Sequence, residues 1–133
     1  MFVAMLLFKK KFLSAILSGE KTQTIRLWKH CRMKSGQRSY IPGAGYIRVD
    51  SVEQVQLDAL TEQDAARDGF SSLAELRAEI DRLYPHGLTG GASPYRILFT
   101  VLPPEQQRQL QEERRAAKRS ASGQKELWGS DEG

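Results

Sequence analysis

The periodicity of the sequence changes abruptly at Gly19, and this change restricts what the first part of the chain can fold into. Residues 10–18, KKFLSAILS, carry large apolar side chains at helical spacing. Gly19 is suited to the left-handed conformation that ends a helix. Residues 21–28, KTQTIRLW, then alternate with a period of two, which is typical of a strand. The chain therefore has to turn from a helix with one buried face directly into a strand.

The predicted strand has two unlike faces. Ile25 and Leu27 point to one side and are expected to meet the core. The opposite side displays two hydroxyls, a guanidinium and an indole, which belong to Thr22, Thr24, Arg26 and Trp28. Such a face is either a solvated surface or part of a functional site.

Three further segments have strand character. Residues 2–8 and 95–102 are apolar runs that predict buried strands. Residues 46–57 predict a strand whose phase slips between Val49 and Val52, which indicates a bulge. The run at residues 2–8 is shorter than the roughly 20 residues needed to cross a membrane. It also lacks the basic flank and the small-residue cleavage site of a signal peptide.

Two short helices and a polar C-terminal segment complete the predicted architecture. Thr61 and Ser72 each open a capping-box pattern. Beyond residue 102 the sequence favours helix without an apolar face and then, from residue 120, disorder. We expect an α+β domain in residues 1–102, a small β-barrel with short flanking helices, and a polar extension in residues 103–133.

Charge is distributed unevenly along the chain. Residues 1–48 contain ten Lys or Arg side chains and one acidic residue, Glu20, which gives a net charge of +9. Residues 49–102 carry a net charge of −5. A half that is almost entirely basic and interleaved with aromatic residues favours a polyanionic partner. Simple solvation of the surface by lysines is the alternative.

Cysteine and histidine are too few to build a covalent or metal framework. The single cysteine, Cys31, excludes an intrachain disulfide. Only His30 and Cys31 lie close together, which is not the spacing of a metal-ligand set. We therefore expect a cytoplasmic protein without a cofactor, a structural metal or a membrane-spanning segment.

Five short motifs follow one another along the chain in a definite order. They are Gly19-Glu20-Lys21-Thr22, Thr24-Ile25-Arg26, Asp64-Ala65, Gly69-Phe70 and Tyr84-Pro85. No single motif is specific, but the ordered set runs over nearly all of residues 3–102 and resembles the ASCH family of the PUA-like superfold. The resemblance implies a small β-barrel with a cleft, and RNA or nucleotide binding as the family-level function.

One branch of the ASCH family, the small bacterial acetylcytidine amidohydrolases, is enzymatic. Its catalytic set is a Lys and a Thr in the Lys-Thr-x-Thr motif and a Glu from the short helix. By this resemblance the catalytic residues are Lys21 and Thr24, and the position of the Glu falls on Asp68. Because aspartate is one methylene shorter, the backbone has to approach more closely to keep catalytic groups within hydrogen-bond reach.

Binding and catalysis are the two functional hypotheses for the polar strand face, beside the structural one. For binding, we expect a nucleoside, a nucleotide or single-stranded RNA as the partner, with bases stacked on aromatic rings and the backbone on a basic loop. The expected contacts are Lys21, Arg26, Trp28, Lys29, Arg32, Lys34 and Tyr46. For catalysis, Lys21 with a pKa lowered by desolvation and by Arg26 deprotonates Thr24, which attacks an amide carbonyl. Asp68 then orients Lys21 or shuttles the proton.

Two weaker candidates lie outside this strand. The loop GLTGGAS, residues 87–93, lacks the ending of a phosphate-binding loop, but it precedes a strand and can border the cleft with Ser93 and Tyr95. A protein-interaction module is the remaining alternative. In that case the C-terminal extension docks on a partner through Trp128.

Overall fold

The computed structural model describes residues 4–132, and within them the side chains of residues 6–120. The strands are β1 (Ala4–Met5), β2 (Gln23–Trp28), β3 (Arg38–Ile41), β4 (Gly45–Gln54) and β5 (Ser93–Val101). The helices are α1 (Leu13–Ser18), α2 (Glu62–Arg67), α3 (Leu73–Leu83) and α4 (Pro104–Glu132), with 3-10 turns at Lys10–Phe12 and Leu57–Ala59. The first compact unit ends at Val101 and the second begins at Leu102.

The five strands form one sheet in the order β1-β3-β4-β5-β2. The pairs β3–β4, β4–β5 and β5–β2 are antiparallel, whereas β1 joins β3 in parallel through two residues. The predicted closure into a barrel is wrong, because β1 and β2 lie at opposite edges and no pairing among the described residues joins them. The mixed helix and strand content is confirmed.

The pairing of β2 with β5 brings the opening motif beside the last strand of the first unit. Thr24 lies opposite Ile97, and Arg26 lies opposite Tyr95. The predicted slip in the third strand is confirmed as a register shift between Val49 and Ser51. Strand β3 was not predicted, because its sequence, RSYI, sits in a basic, turn-rich stretch and becomes a strand through its pairing with β4.

Two apolar clusters hold the first unit together. The first lies on one face of the sheet and contains Leu6, Ile16, Met33, Ile41, Ile47, Val49, Ile97 and Phe99. The second contains Ile25, Leu27, Leu60, Ala65, Leu76 and Ile80, and so joins β2 to α2 and α3. The predicted core face of β2 is confirmed. The other face is not simply solvated, because Thr24 is only 5% exposed.

Helix α2 is fixed to the sheet at its start. Thr61 and Asp64 form the predicted capping box. The Asp64 carboxylate also accepts hydrogen bonds from Arg96 on β5, at 2.8 Å from Nε and 3.1 Å from Nη2. Burial by itself raises the pKa of Asp64, but the bonds from Arg96 and Thr61 outweigh it and the pKa is lowered. The carboxylate therefore stays ionised and holds α2 in place.

The second unit consists of α4, which follows Leu102. Of its described side chains, only Gln107 and Leu110 are partly covered, which agrees with the expected lack of an apolar face. Helix α4 continues to Glu132, where the sequence predicted disorder from residue 120. The side chain of the candidate contact Trp128 lies outside the described residues. Within the described part of the chain, no helix is long and apolar enough to span a membrane.

We expect the first unit to be stable without most of the extension. Deletion of residues 106–133 should leave the melting temperature nearly unchanged, because this segment offers little apolar area to bury. Thermal unfolding followed by circular dichroism at 222 nm measures the effect. A drop of about 10 °C or more would contradict the expectation, since that corresponds to more than about 1 kcal/mol in a domain of this size.

Candidate functional site

A cleft of about 200 Å³ lies beside β2 and is lined on another side by residues of α3. Its wall is mainly apolar and comprises Leu7, Phe8, Phe12, Ile25, Phe70, Leu76, Ile80, Leu83 and Tyr84. The polar residues of the lining are Lys9, Lys21, Thr24, Arg26, Asp68 and Glu79. An apolar cleft with a few convergent polar groups is the usual form of a small-molecule site.

A buried ion pair between Lys21 and Asp68 forms the polar centre of the cleft. Each residue is only 3% exposed. Lys21 Nζ donates to Asp68 Oδ1 and, over 2.6 Å, to the backbone carbonyl of Asp68. Asp68 is the C-cap residue that follows α2, so its carbonyl lacks a helical partner and accepts the ammonium instead. The structure thus joins two of the three residues expected for catalysis.

The backbone around Lys21 is still turning and has not yet entered β2. Lys21 and Thr24 can therefore both line the same cleft. Gly19 ends α1 in the left-handed conformation with φ of +85°. Lys21 N–H then donates to the Ala15 carbonyl at 3.0 Å, and Thr22 N–H donates to the Arg67 carbonyl at 2.7 Å. Strand β2 begins only at residue 23. Lys21 is therefore not bound by the alternation of the strand.

Three aromatic rings surround the Lys21 ammonium. Its Nζ lies 5.0 Å from the ring centre of Phe12, 5.4 Å from that of Phe70 and 5.7 Å from that of Phe8. Rings attract a cation through their electron-rich faces. The rings also exclude water. The positive charge of Lys21 is therefore stabilised by Asp68 and the rings instead of by solvent.

Thr24 and Arg26 form a second polar pair on the same side of the strand. Arg26 Nε donates to Thr24 Oγ1 at 3.0 Å, and Arg26 Nη2 donates to the Leu7 carbonyl at 2.7 Å. The guanidinium also lies 4.6 Å from the ring of Phe8. No hydrogen bond joins the two described side chains Lys21 and Thr24. The hydroxyl proton of Thr24 is free to point elsewhere because its oxygen serves Arg26 as an acceptor.

Burial shifts both members of the ion pair toward their neutral forms. Burial lowers the pKa of Lys21, and the Asp68 carboxylate opposes this shift without cancelling it. Burial likewise raises the pKa of Asp68, against the opposing influence of Lys21. A lysine with a lowered pKa gives up its proton more readily than an unperturbed lysine does, which is what a general base requires.

Two polar residues of the site were missed by the sequence analysis. Gln23 is fully buried and donates to Asp68 Oδ2 at 3.3 Å. Its signal was a polar residue in the phase of Ile25 and Leu27. Glu79 lies on α3, is 9% exposed and accepts from Lys11 Nζ at 3.2 Å. Its signal was a carboxylate beside Ile80, next to the apolar stripe of that helix.

The residues expected to contact RNA are only partly brought together. Lys29, Arg32 and Lys34 are exposed on the loop that follows β2. Trp28 is partly covered and packs on Tyr95, with ring centres 5.9 Å apart.

The structure also defines the contacts of two further candidates from the sequence, Tyr46 and Ser93. Tyr46 is 3% exposed and packs on Tyr40 at 4.9 Å, so its ring is not presented to solvent. Ser93 lies opposite Trp28 in the pairing of β5 with β2. No cluster of possible metal ligands occurs among the described residues.

Gly69 is expected to tolerate substitution poorly, because it combines a left-handed backbone with close contact to Lys21. Its φ is +87°, and an added Cβ would lie 3.3 Å from Lys21 Cβ. Gly69→Ala should lower the free energy of unfolding by about 1–2 kcal/mol from the backbone alone, and further from the contact. Gly36→Ala is the matched control, since Gly36 has φ of +83° and open space around it. Urea unfolding of both variants measures the difference; equal losses would mean that Lys21 is not crowded.

Removal of Lys21 should make stability depend on pH. In Lys21→Met the pKa of Asp68 rises further, because burial is no longer opposed by the ammonium. The folded protein then holds the Asp68 proton more tightly than the unfolded chain does. The free energy of unfolding should therefore fall as pH rises above about 4, by up to about 1.4 kcal/mol per pH unit.

Urea unfolding between about pH 4 and about pH 7 tests this expectation. The double variant Lys21→Met/Asp68→Asn is the control, because it has no carboxyl group to titrate at this position. If Lys21→Met and the double variant show the same pH dependence, Asp68 is not the group responsible.

Three solved structures resemble this chain over most of their length. The hypothetical protein PH0355 is 15% identical, with a TM-score of 0.64 and coverage of 76% of this chain and 100% of that one. An ASCH domain from Lactobacillus crispatus is 18% identical, with a TM-score of 0.63 and coverage of 74% and 79%. The protein EF3133 from Enterococcus faecalis is 19% identical, with a TM-score of 0.59 and coverage of 77% and 82%.

Comparison by sequence finds no such relation: no family model matches the chain, and no curated protein matches it. The likeness to solved structures at these identities concerns the fold. The resemblance expected from the five ordered motifs is confirmed at that level. This chain has the fold of ASCH-domain structures.

Proposed function

We propose that the cleft binds a nucleoside-sized ligand and hydrolyses an amide on it, in the manner of an acetylcytidine-type amidohydrolase. The observation that carries the proposal is the buried contact between Lys21 and Asp68 in a cleft that also contains Thr24. A volume of about 200 Å³ is below the roughly 300–1,000 Å³ that is typical of ligand pockets, so a ligand as small as a base or a nucleoside suits it better than a folded polymer.

The proposed first step is acyl transfer to Thr24. Neutral Lys21 Nζ takes the hydroxyl proton of Thr24 while Oγ1 attacks the amide carbonyl carbon of the ligand. The C–N bond of the tetrahedral intermediate then breaks. The leaving nitrogen takes the proton from the Lys21 ammonium, which leaves an acyl ester on Thr24 and a free amine on the ligand.

The second step returns the enzyme to its initial state. Water attacks the acyl ester and gives its proton to Lys21, and the bond from the acyl carbon to Thr24 Oγ1 breaks. Oγ1 takes that proton back, so a carboxylic acid leaves and Thr24 is restored. Asp68 supports both steps by holding Lys21 between proton transfers.

Arg26 is proposed to assist through its remaining N–H groups. A guanidinium has five N–H donors, and bonds to Thr24 and the Leu7 carbonyl use two of them. The others can donate to the oxygen that becomes negative in the tetrahedral intermediate. The hydrogen bond from Nε also makes the Thr24 hydroxyl easier to deprotonate.

The proposed chemistry predicts a definite pattern of variant activities on N4-acetylated cytidine. Lys21→Ala and Thr24→Ala should each lose at least about 100-fold in kcat/KM, because each removes a group that handles the proton or forms the bond. Ser14→Ala, which changes an exposed hydroxyl on α1, is the control and should retain full activity. Release of cytidine followed by chromatography measures all four proteins.

Asp68→Glu separates an adapted site from a silenced one. If the cleft is built around the shorter acid, the longer side chain should lower activity. Activity that appears only in Asp68→Glu would mean that the natural protein binds such a ligand without cleaving it. If wild type and both alanine variants are all inert, the hydrolase proposal fails.

RNA binding is the second candidate, and the observation in its favour is the exposed basic loop after β2. Lys29, Arg32 and Lys34 extend into solvent there, within a half of the chain that carries a net charge of +9. Phosphate contacts release counterions, so affinity for single-stranded RNA should fall steeply with salt.

A triple variant tests this candidate. Lys29→Ala/Arg32→Ala/Lys34→Ala should weaken binding to a single-stranded oligonucleotide and flatten the salt slope by about 0.7 for each lost phosphate contact. The control removes three exposed cations of α4 instead, at Arg108, Arg115 and Lys118. Fluorescence anisotropy at several salt concentrations gives both slopes. Unchanged affinity in the triple variant would refute the loop as the binding surface.

A further inference from the structure

Gln23 occupies a position where the pattern of β2 calls for an apolar residue. The strand alternation puts it on the same face as Ile25 and Leu27, both of which belong to the second apolar cluster. Its side chain is fully buried, with 0% exposure. A polar residue at a core position is unfavourable unless its hydrogen bonds are made or it has a function.

The side-chain amide of Gln23 donates hydrogen bonds but accepts none from the described residues. Its Nε2 donates to Asp68 Oδ2 at 3.3 Å and lies 3.4 Å from the Asp64 carbonyl. Its Oε1 is buried and has no hydrogen-bond partner among the described residues. A buried acceptor without a donor destabilises a fold, so an apolar side chain would serve packing better. The amide is therefore best explained by what its N–H groups hold.

The two oxygens of Asp68 accept from two different side chains. Oδ1 accepts from Lys21 Nζ, and Oδ2 accepts from Gln23 Nε2. Asp68 is 3% exposed, so water cannot replace a missing donor on Oδ2. Without Gln23, one oxygen of a buried carboxylate would have no donor, and the group could rotate about its last bond.

We propose that Gln23 is a positioning residue, which fixes the Asp68 carboxylate so that one oxygen faces Lys21 and the group remains ionised beside it. Its consequence for hydrolysis rests on the proposed function, whereas its action on the ion pair does not. Burial raises the pKa of Asp68, and the hydrogen bond from Gln23 is among the contacts that oppose the rise. The other charged groups that act on the pair are Arg26 on β2 and Glu79 on α3.

The test uses the full chain and Gln23→Met, which keeps a similar shape and removes the donor. The pair is titrated by NMR through the carboxyl carbon of Asp68 and the ε-carbon of Lys21. We expect the apparent midpoint of the carboxyl titration to move upward by about half a pH unit or more. Gln54→Met, at an exposed glutamine of β4, should not move it. The melting temperature of Gln23→Met should fall more at neutral than at acid pH, because a raised carboxyl midpoint makes the ionised Asp68 less favourable in the folded state.

A second measurement needs no variant. In wild type, the side-chain amide signal of Gln23 should change with the same midpoint as the carboxyl carbon of Asp68. The proposal would be overturned if the chemical shift of the Gln23 amide stayed constant through the titration of Asp68. An unchanged midpoint in Gln23→Met would also overturn it. A lower melting temperature with an unchanged midpoint would assign Gln23 a packing role only, which also overturns it.

Hydrolysis supplies an outcome that separates this inference from the proposed function. If wild type cleaves acetylated cytidine, Gln23→Met should move the acid limb of its pH profile upward together with the NMR midpoint. If no protein cleaves it and the midpoint still moves, the positioning inference stands and the hydrolase proposal fails. Cleavage with an identical pH profile in Gln23→Met would overturn the positioning inference and leave the hydrolase proposal intact.

Discussion

The buried contact between Lys21 and Asp68 is the interaction on which the arrangement of the first unit depends. Moving two charges out of water costs several kcal/mol for each, and their attraction offsets this only with good geometry and further hydrogen bonds. That geometry requires the end of α2 to lie against the turn after α1. The glycines at 19 and 69 allow both turns, and Arg96 fixes the start of α2 through Asp64.

Stability alone does not explain such a pair. Replacing a buried ion pair by apolar residues of similar volume is often neutral or stabilising. Here the surroundings are already apolar, with Phe8, Phe12 and Phe70 around the ammonium. The same burial lowers the pKa of Lys21 and raises that of Asp68, so the fold keeps two groups that exchange a proton more readily than they would in water. Groups shifted in this way are concentrated at functional sites.

Local signals in the sequence were sufficient for most elements and insufficient for the site. Gly19 and the capping box at Thr61 act within one turn of a helix, so their effects could be read from neighbouring residues. Strand β3 could not, because its pairing with β4 decides its state. Residues 21 and 68 are 47 positions apart, and only the family resemblance indicated that they meet. Barrel closure, also expected from the resemblance, was wrong because the edge strands do not pair.

The shorter acid at position 68 is accommodated by the backbone. Lys21 Nζ contacts the Asp68 carbonyl at 2.6 Å as well as the carboxylate, so the end of α2 itself approaches the lysine. At that separation a side chain with one methylene is long enough to reach the ammonium. A glutamate at the same backbone position would have to fold back or displace the lysine toward the rings. The aspartate therefore fits this cleft because the end of α2 lies within reach of the lysine, and Gln23 donates to its second oxygen.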